Sequence, residues 1–183
     1  MSHESFSTGT TTATSDGQRA RPIRLILSDV DGVMTGGELY YDTLGVNLKQ
    51  FHVRDGMGIK VWQRSGCEFG IVSSRIHSGV RLRAKELGIK HVLQGVDPKL
   101  PAVVHLLETL GVAPEETAYV GDDLPDLPVM EHVALAVAPA DASTDVIAAA
   151  DWVMQARGGQ GVLRELIERL MRATSTWEQH ALS

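Results

Sequence analysis

Between residues 24 and 172, short apolar runs alternate with segments of helical period, and this alternation leaves few folds open to the chain. The runs near 24–28, 68–72, 91–93, 117–121, 133–137 and 151–153 read as strands. Helical stretches fit between them at about 56–65, 77–87, 99–110, 124–131, 143–149 and 160–172, with Gly66, Gly88 and Gly111 as C-terminal stops. Such alternation predicts an α/β fold, a doubly wound Rossmann-like parallel sheet with helices on both faces. One stretch breaks it. Glu38-Leu39-Tyr40-Tyr41, the turn Asp42-Thr43-Leu44-Gly45 and residues 46–53 predict a β-hairpin, over about 37–53, where a βαβ unit would carry a helix. Leu39, Tyr40 and Phe51 are too apolar to be left in water, so the hairpin is expected to be a lid or a contact surface.

With 183 residues the chain suits a single core. Residues 1–21, rich in Ser, Thr and Gly, are expected to be a disordered tail, residues 22–173 the one domain, and 174–183 a C-terminal tail. Seventeen Lys and Arg against 23 Asp and Glu give a formal charge of −6, which lacks the basic footprint of a nucleic-acid binder. No apolar run reaches the ~18 residues of a membrane span, so no membrane partner and a cytoplasmic location are expected. Cys67 has no cysteine partner in its own chain and reads as a buried structural thiol.

The chemistry is concentrated at four predicted strand ends, where ligands of an open parallel sheet sit. The first emits Asp29-Val30-Asp31-Gly32-Val33. Alternation puts Asp29 and Asp31 on one face, and Gly32 permits the sharp departure that follows. Folding alone gives no reason for two adjacent like charges, so a cation between them is expected. The second strand ends in Ser73-Ser74-Arg75, either a helix cap or a phosphate cradle. Lys99, after Asp97-Pro98, is either solvated or brought to the same edge. The fourth strand ends in Gly121-Asp122-Asp123-Leu124-Pro125-Asp126, either first-turn acids of a helix or part of a site. Oxygen-only ligands suit magnesium, and the seven histidines show no zinc-like spacing.

On these motifs the chain resembles a haloacid dehalogenase superfamily phosphatase of the minimal-cap kind, over roughly residues 23–172. Within that superfamily it is most similar to 3-deoxy-D-manno-octulosonate 8-phosphate phosphatases, through Asp29 to Val33, Phe51-His52-Val53-Arg54-Asp55-Gly56, Arg83 to Ile89 and Tyr119 to Met130. The resemblance implies Asp29 as nucleophile, Asp31 as general acid and base, and Lys99 as the cation between nucleophile and phosphate. It implies Mg²⁺ held by the Asp29 carboxylate, the Asp31 main-chain carbonyl and Asp122, with Asp123 and Asp126 in support. Ser73, Ser74, Arg75, Arg54 and Gly32 are the expected phosphate and substrate contacts, Arg54 and Arg75 either gripping a sugar carboxylate or forming ordinary salt bridges. The expected substrate is a small phosphorylated sugar acid, of eight carbons or of the nine-carbon sialic type. The expected assembly is a homotetramer through the hairpin.

Several positions depart from the family pattern. Ser74 replaces a usual Gly, Gly36 an Asp, Ser143 a His and Gln160 an Arg, which puts substrate identity in doubt; Arg157 either restores the missing guanidinium or is a surface arginine. Two readings from other classes are a phospho-accepting receiver domain, which places its acceptor on a middle strand, and a non-catalytic accessory domain, which has no reason to keep the acidic set.

Overall fold

The computed structural model describes residues 15–181 except 44 and 46. In chain order the elements are α1 (Asp16–Ala20), β1 (Leu25–Ser28), the hairpin strands β2 (Tyr40–Tyr41) and β3 (Asn47–Leu48), α2 (Val53–Arg64), β4 (Glu68–Ser73), α3 (Ser78–Leu87) and β5 (His91–Gln94). There follow α4 (Lys99–Leu110), β6 (Thr117–Val120), α5 (Leu127–Met130), β7 (Leu135–Ala138), α6 (Thr144–Ala149), β8 (Trp152–Val153), α7 (Val162–Ala173) and α8 (Trp177–Ala181). Six strands form one sheet in the order β5-β4-β1-β6-β7-β8, every pairing parallel. Successive crossovers leave β1 toward β4 and later return to β6 on its other side. The strand order therefore reverses between β1 and β6, and the crevice for a ligand lies beyond their C-terminal ends.

Alternation along the strands explains how the sheet holds two cores. Ile26, Ala118 and Val120 pack with Ile59, Trp62, Leu163, Ile167 and Leu170 on the face of α2 and α7. Leu25, Leu27 and Tyr119 pack with Val103 and Leu107 of α4 and with Val129, Met130 and Val146 on the other face. All four residues of β1 and of β6 are buried, as parallel strands covered on both faces require. Cys67 is free and half-buried against the first core, with burial pushing its thiol pKa up.

The structure corrects several boundaries. Residues 15–21 are not tail: Ser15 and Gln18 form a capping box, and α1 buries Ala20 against the core. The rest of the expected N-terminal tail, residues 1–14, lies outside the described residues. The expected C-terminal tail likewise contains α8, with Trp177 buried. The helix expected at 124–131 is broken into a 3₁₀ turn, Leu124–Asp126, and α5, with prolines at the start of each. The hairpin is present, with Tyr40 opposite Leu48 in its two-residue strands. Among the described residues no helix is long and apolar enough to cross a membrane.

Candidate active site

Asp29 follows β1 directly and continues the row of Leu25 and Leu27, so its carboxylate emerges on the face covered by α4. Lys99 opens that helix. The two meet with Lys99 Nζ 2.8 Å from Asp29 Oδ1, and Lys99 also lies 2.7 Å from Asp126 Oδ1. A lysine side chain only 3% exposed is costly unless it is paired. Burial pushes the Lys99 pKa down, but the Asp29 and Asp126 carboxylates outweigh it and hold it above the ordinary lysine value. The solvated reading of Lys99 is thereby excluded.

Asp126 is the anchor of this arrangement. Its Oδ1 accepts from Lys99 and, at 2.6 Å, from the Tyr119 hydroxyl, while Oδ2 accepts the Asp122 and Asp123 amides at 3.0 and 3.3 Å. A carboxylate with both oxygens doubly engaged serves to hold its neighbours in place. Tyr119 escapes a reading of the sequence because a tyrosine inside a buried strand looks like apolar filling.

Asp122 is the unsatisfied member. Its Oδ1 is buried without a hydrogen-bond partner, and burial, with Asp29, Asp126 and Asp123 nearby, raises its pKa to about 8. Burial and Asp126 push Asp29 up to about 6 against the pull of Lys99. The approach that permits this crowding depends on Gly32: at φ +91°, a Cβ there would stand 2.0 Å from Asp122 Oδ2. Gly32 thus enters the site through its lack of a side chain.

Carboxylate oxygens of Asp29, Asp122 and Asp126 all lie within 4.8 Å of one another. Such a group, with one orphaned oxygen and raised carboxylate pKa values, fits a hard divalent cation with oxygen ligands. Of the expected ligands, Asp29 and Asp122 contribute carboxylates to this group, while Asp31 is expected to contribute its main-chain carbonyl rather than its side chain. The Asp31 carboxylate stands apart from the cluster, paired with Lys49 of the hairpin. Nothing in the spacing singles out Lys49, since a hairpin lysine is usually solvated.

Asp29, Asp31, Ser73, Ser74, Arg75, Lys99, Asp122, Asp123 and Asp126 line one crevice of about 380 Å³. Ser73 is buried and its hydroxyl accepts the Arg75 amide at 3.2 Å; the Ser74 hydroxyl is buried without a partner. Neither serine caps α3, whose N-cap is His77, accepting the Gly79 amide through Nδ1. Arg54 is not brought to this crevice. It lines a separate cavity with Gln160, Gly161 and Arg164. The next residue, Asp55, is buried and caps α7 from across the interface, accepting the Arg164 amide at 2.8 Å. Gly36 and Gln160 share a small cavity with Glu38, Tyr40 and Gln50. Ser143 lies by the site, its amide donating to the Asp122 carbonyl at 2.8 Å. Arg157 is paired with Asp141 at 3.1 Å and mostly exposed, as a surface arginine.

Residues 92–166 match the haloacid dehalogenase-like hydrolase family. The 3-deoxy-D-manno-octulosonate 8-phosphate phosphatase KdsC of Escherichia coli K12 is 47% identical over 155 residues, covering 85% of this chain and 82% of its own. The crystal structure of the phosphatase of that name from Yersinia pestis superposes with a TM-score of 0.87 at 43% identity, covering 88% of each chain. The same enzyme from Moraxella catarrhalis, in complex with magnesium, phosphate and a KDO molecule, gives a TM-score of 0.87 at 35% identity over 90% of this chain and 94% of that one.

Proposed function

The chain belongs to the haloacid dehalogenase-like hydrolase family, and from that premise we propose that it is a magnesium-dependent phosphatase that hydrolyses 3-deoxy-D-manno-octulosonate 8-phosphate to the free sugar acid and phosphate. The observation that carries this reading is the Lys99–Asp29 pair beside the orphaned Asp122 oxygen, in a crevice of about 380 Å³. The relatives named for this activity, one holding magnesium, phosphate and KDO, support it. Nothing observed favours the nine-carbon acid, and the intact acidic set tells against a non-catalytic accessory domain.

Asp29 attacks phosphorus, and the ester oxygen leaves with a proton from Asp31, producing an aspartyl phosphate and the free sugar acid. Asp31 then takes a proton from the water that attacks the acyl phosphate, which regenerates Asp29 and releases phosphate. A carboxylate approaching a phosphate dianion meets repulsion, and the Lys99 ammonium, 2.8 Å from the nucleophile, offsets part of it. Ser73, buried at the end of β4, holds the phosphoryl group, with Ser74 and Arg75 alongside. Asp29, Asp122 and the Asp31 carbonyl would hold magnesium, which supplies further positive charge against the phosphoryl oxygens.

Self-association through the hairpin, as a homotetramer, belongs to the same proposal. It is supported by the exposed apolar side chains of Leu39, Tyr40, Tyr41 and Leu48. A cytoplasmic site of action is also part of it, since a phosphorylated sugar acid does not cross membranes unaided. Phosphate release from the eight- and nine-carbon acid phosphates, each with Mg²⁺ and with EDTA, tests the reading. Mg²⁺-dependent turnover should be fastest on the eight-carbon substrate; turnover of neither would refute it.

A further inference from the structure

Two lysines pair with the aspartates of the first motif, and the family motifs quoted above account for only one of them. Lys99 reaches Asp29 from α4. Lys49 reaches Asp31 out of the return arm of the hairpin, just beyond β3. The Lys49 side chain is 3% exposed, as deeply buried as that of Lys99. Burying an ammonium on a surface hairpin is unfavourable unless a carboxylate offsets the lost hydration. Asp31 Oδ1 is its one partner among the described residues, and that oxygen also lies 3.5 Å from the Thr35 hydroxyl. Asp31 Oδ2 is buried and has no hydrogen-bond partner. One oxygen of this carboxyl is therefore tethered while the other is left available.

We propose that Lys49 is a positioning residue of the reaction: it fixes the Asp31 carboxyl by one oxygen so that the other faces the departing sugar oxygen, making the hairpin a working part of the site. This deepens the function proposed above and rests on it, because Asp31 matters to turnover only if it transfers the proton. The chemical logic is that of a carboxyl on two rotatable bonds at a partly exposed position. Its side chain is 20% exposed. Without a tether it samples orientations in which neither oxygen meets the leaving group, and a small misplacement of a catalytic group costs up to about a hundredfold in rate. Tethering through an ammonium demands little angular precision, since three N–H donors rotate freely.

The test is steady-state kinetics of Lys49→Met and Lys49→Arg on 3-deoxy-D-manno-octulosonate 8-phosphate at saturating Mg²⁺, with circular dichroism melts as the folding control. Lys49→Gln replaces Lys49→Met if the latter fails to fold. Lys49→Met should lose about tenfold to a hundredfold in kcat, with KM within about threefold of the wild type, and Lys49→Arg should recover most of the loss. Unchanged kcat would overturn the proposal. So would a loss in KM alone, which would place Lys49 on the substrate, or an equal loss in the Met and Arg variants, which would make the contact packing only. Wild-type protein that releases no phosphate would instead strike the function on which the proposal rests, and the two failures are distinguishable for that reason.

Discussion

The Tyr119 hydroxyl and the Lys99 ammonium share one acceptor, Asp126 Oδ1, at 2.6 and 2.7 Å. Tyr119→Phe removes a buried hydrogen bond to a charged group, and urea denaturation should show a loss of about 1.5–3 kcal/mol. Asp126 keeps its other three donors, so KM should hold while kcat falls as Lys99 loosens. Unchanged stability would mean that the hydroxyl bond is not formed. At this scale the sequence is informative where chemistry is written in residue type and strand parity. Asp29, Asp31, Ser73, Lys99 and Asp122 could be picked out because strand ends converge in a parallel sheet, and the structure does line one crevice with them. Tyr119 and Lys49 could not, because a tyrosine in a strand and a lysine in a hairpin each have a commoner explanation. Arg54, next to Asp55, which turns inward to cap α7, is carried by the helix to a different cavity of its own chain.

Among elements, the two ends of the chain show how a compositional reading fails. Residues 15–21 and 174–181 look like tails because they are short and polar, yet each supplies a helix to the face of α7. Asp16 forms two bonds to Arg169, at 2.7 and 2.8 Å. Trp177 is 6% exposed within the core and lies under the guanidinium groups of Arg164, at 4.7 Å, and Arg172, at 5.5 Å. Trp177→Ala should therefore cost about 3–5 kcal/mol in a denaturant melt, a loss no disordered tail would give. The Ser15/Gln18 capping box was present in the sequence, but a single turn of helix gives too little periodicity to be seen. The longer elements gave themselves away through period: α4 and α7 fall within two residues of their expected limits, and Gly88 and Gly111 close α3 and α4 with φ of 72° and 62°.

For the molecule as a whole, the acidic crevice couples folding, protons and metal. The Asp122 pKa lies at about 8 and that of Asp29 at about 6, both raised from an ordinary 3.8. The metal-free native state thus retains protons that the unfolded chain has lost, and stability falls as pH rises from about 4 through 8. Mg²⁺ requires the ionised carboxylates, so its affinity rises across the same window and it replaces the bound protons. Thermal melts should show a midpoint shift on adding Mg²⁺ that grows between pH 6 and about 8 and then levels off. A shift independent of pH would separate these carboxylates from the metal.

The central claim is that Asp29 attacks the substrate from within this crevice. Rapid acid quench of enzyme in excess over radiolabelled 3-deoxy-D-manno-octulosonate 8-phosphate, with Mg²⁺ and peptide mapping, tests it most directly. Label should appear transiently on the peptide carrying Asp29, and Asp29→Asn should lose both the label and turnover. Phosphate release by Asp29→Asn at the wild-type rate, or label on another residue, would contradict it.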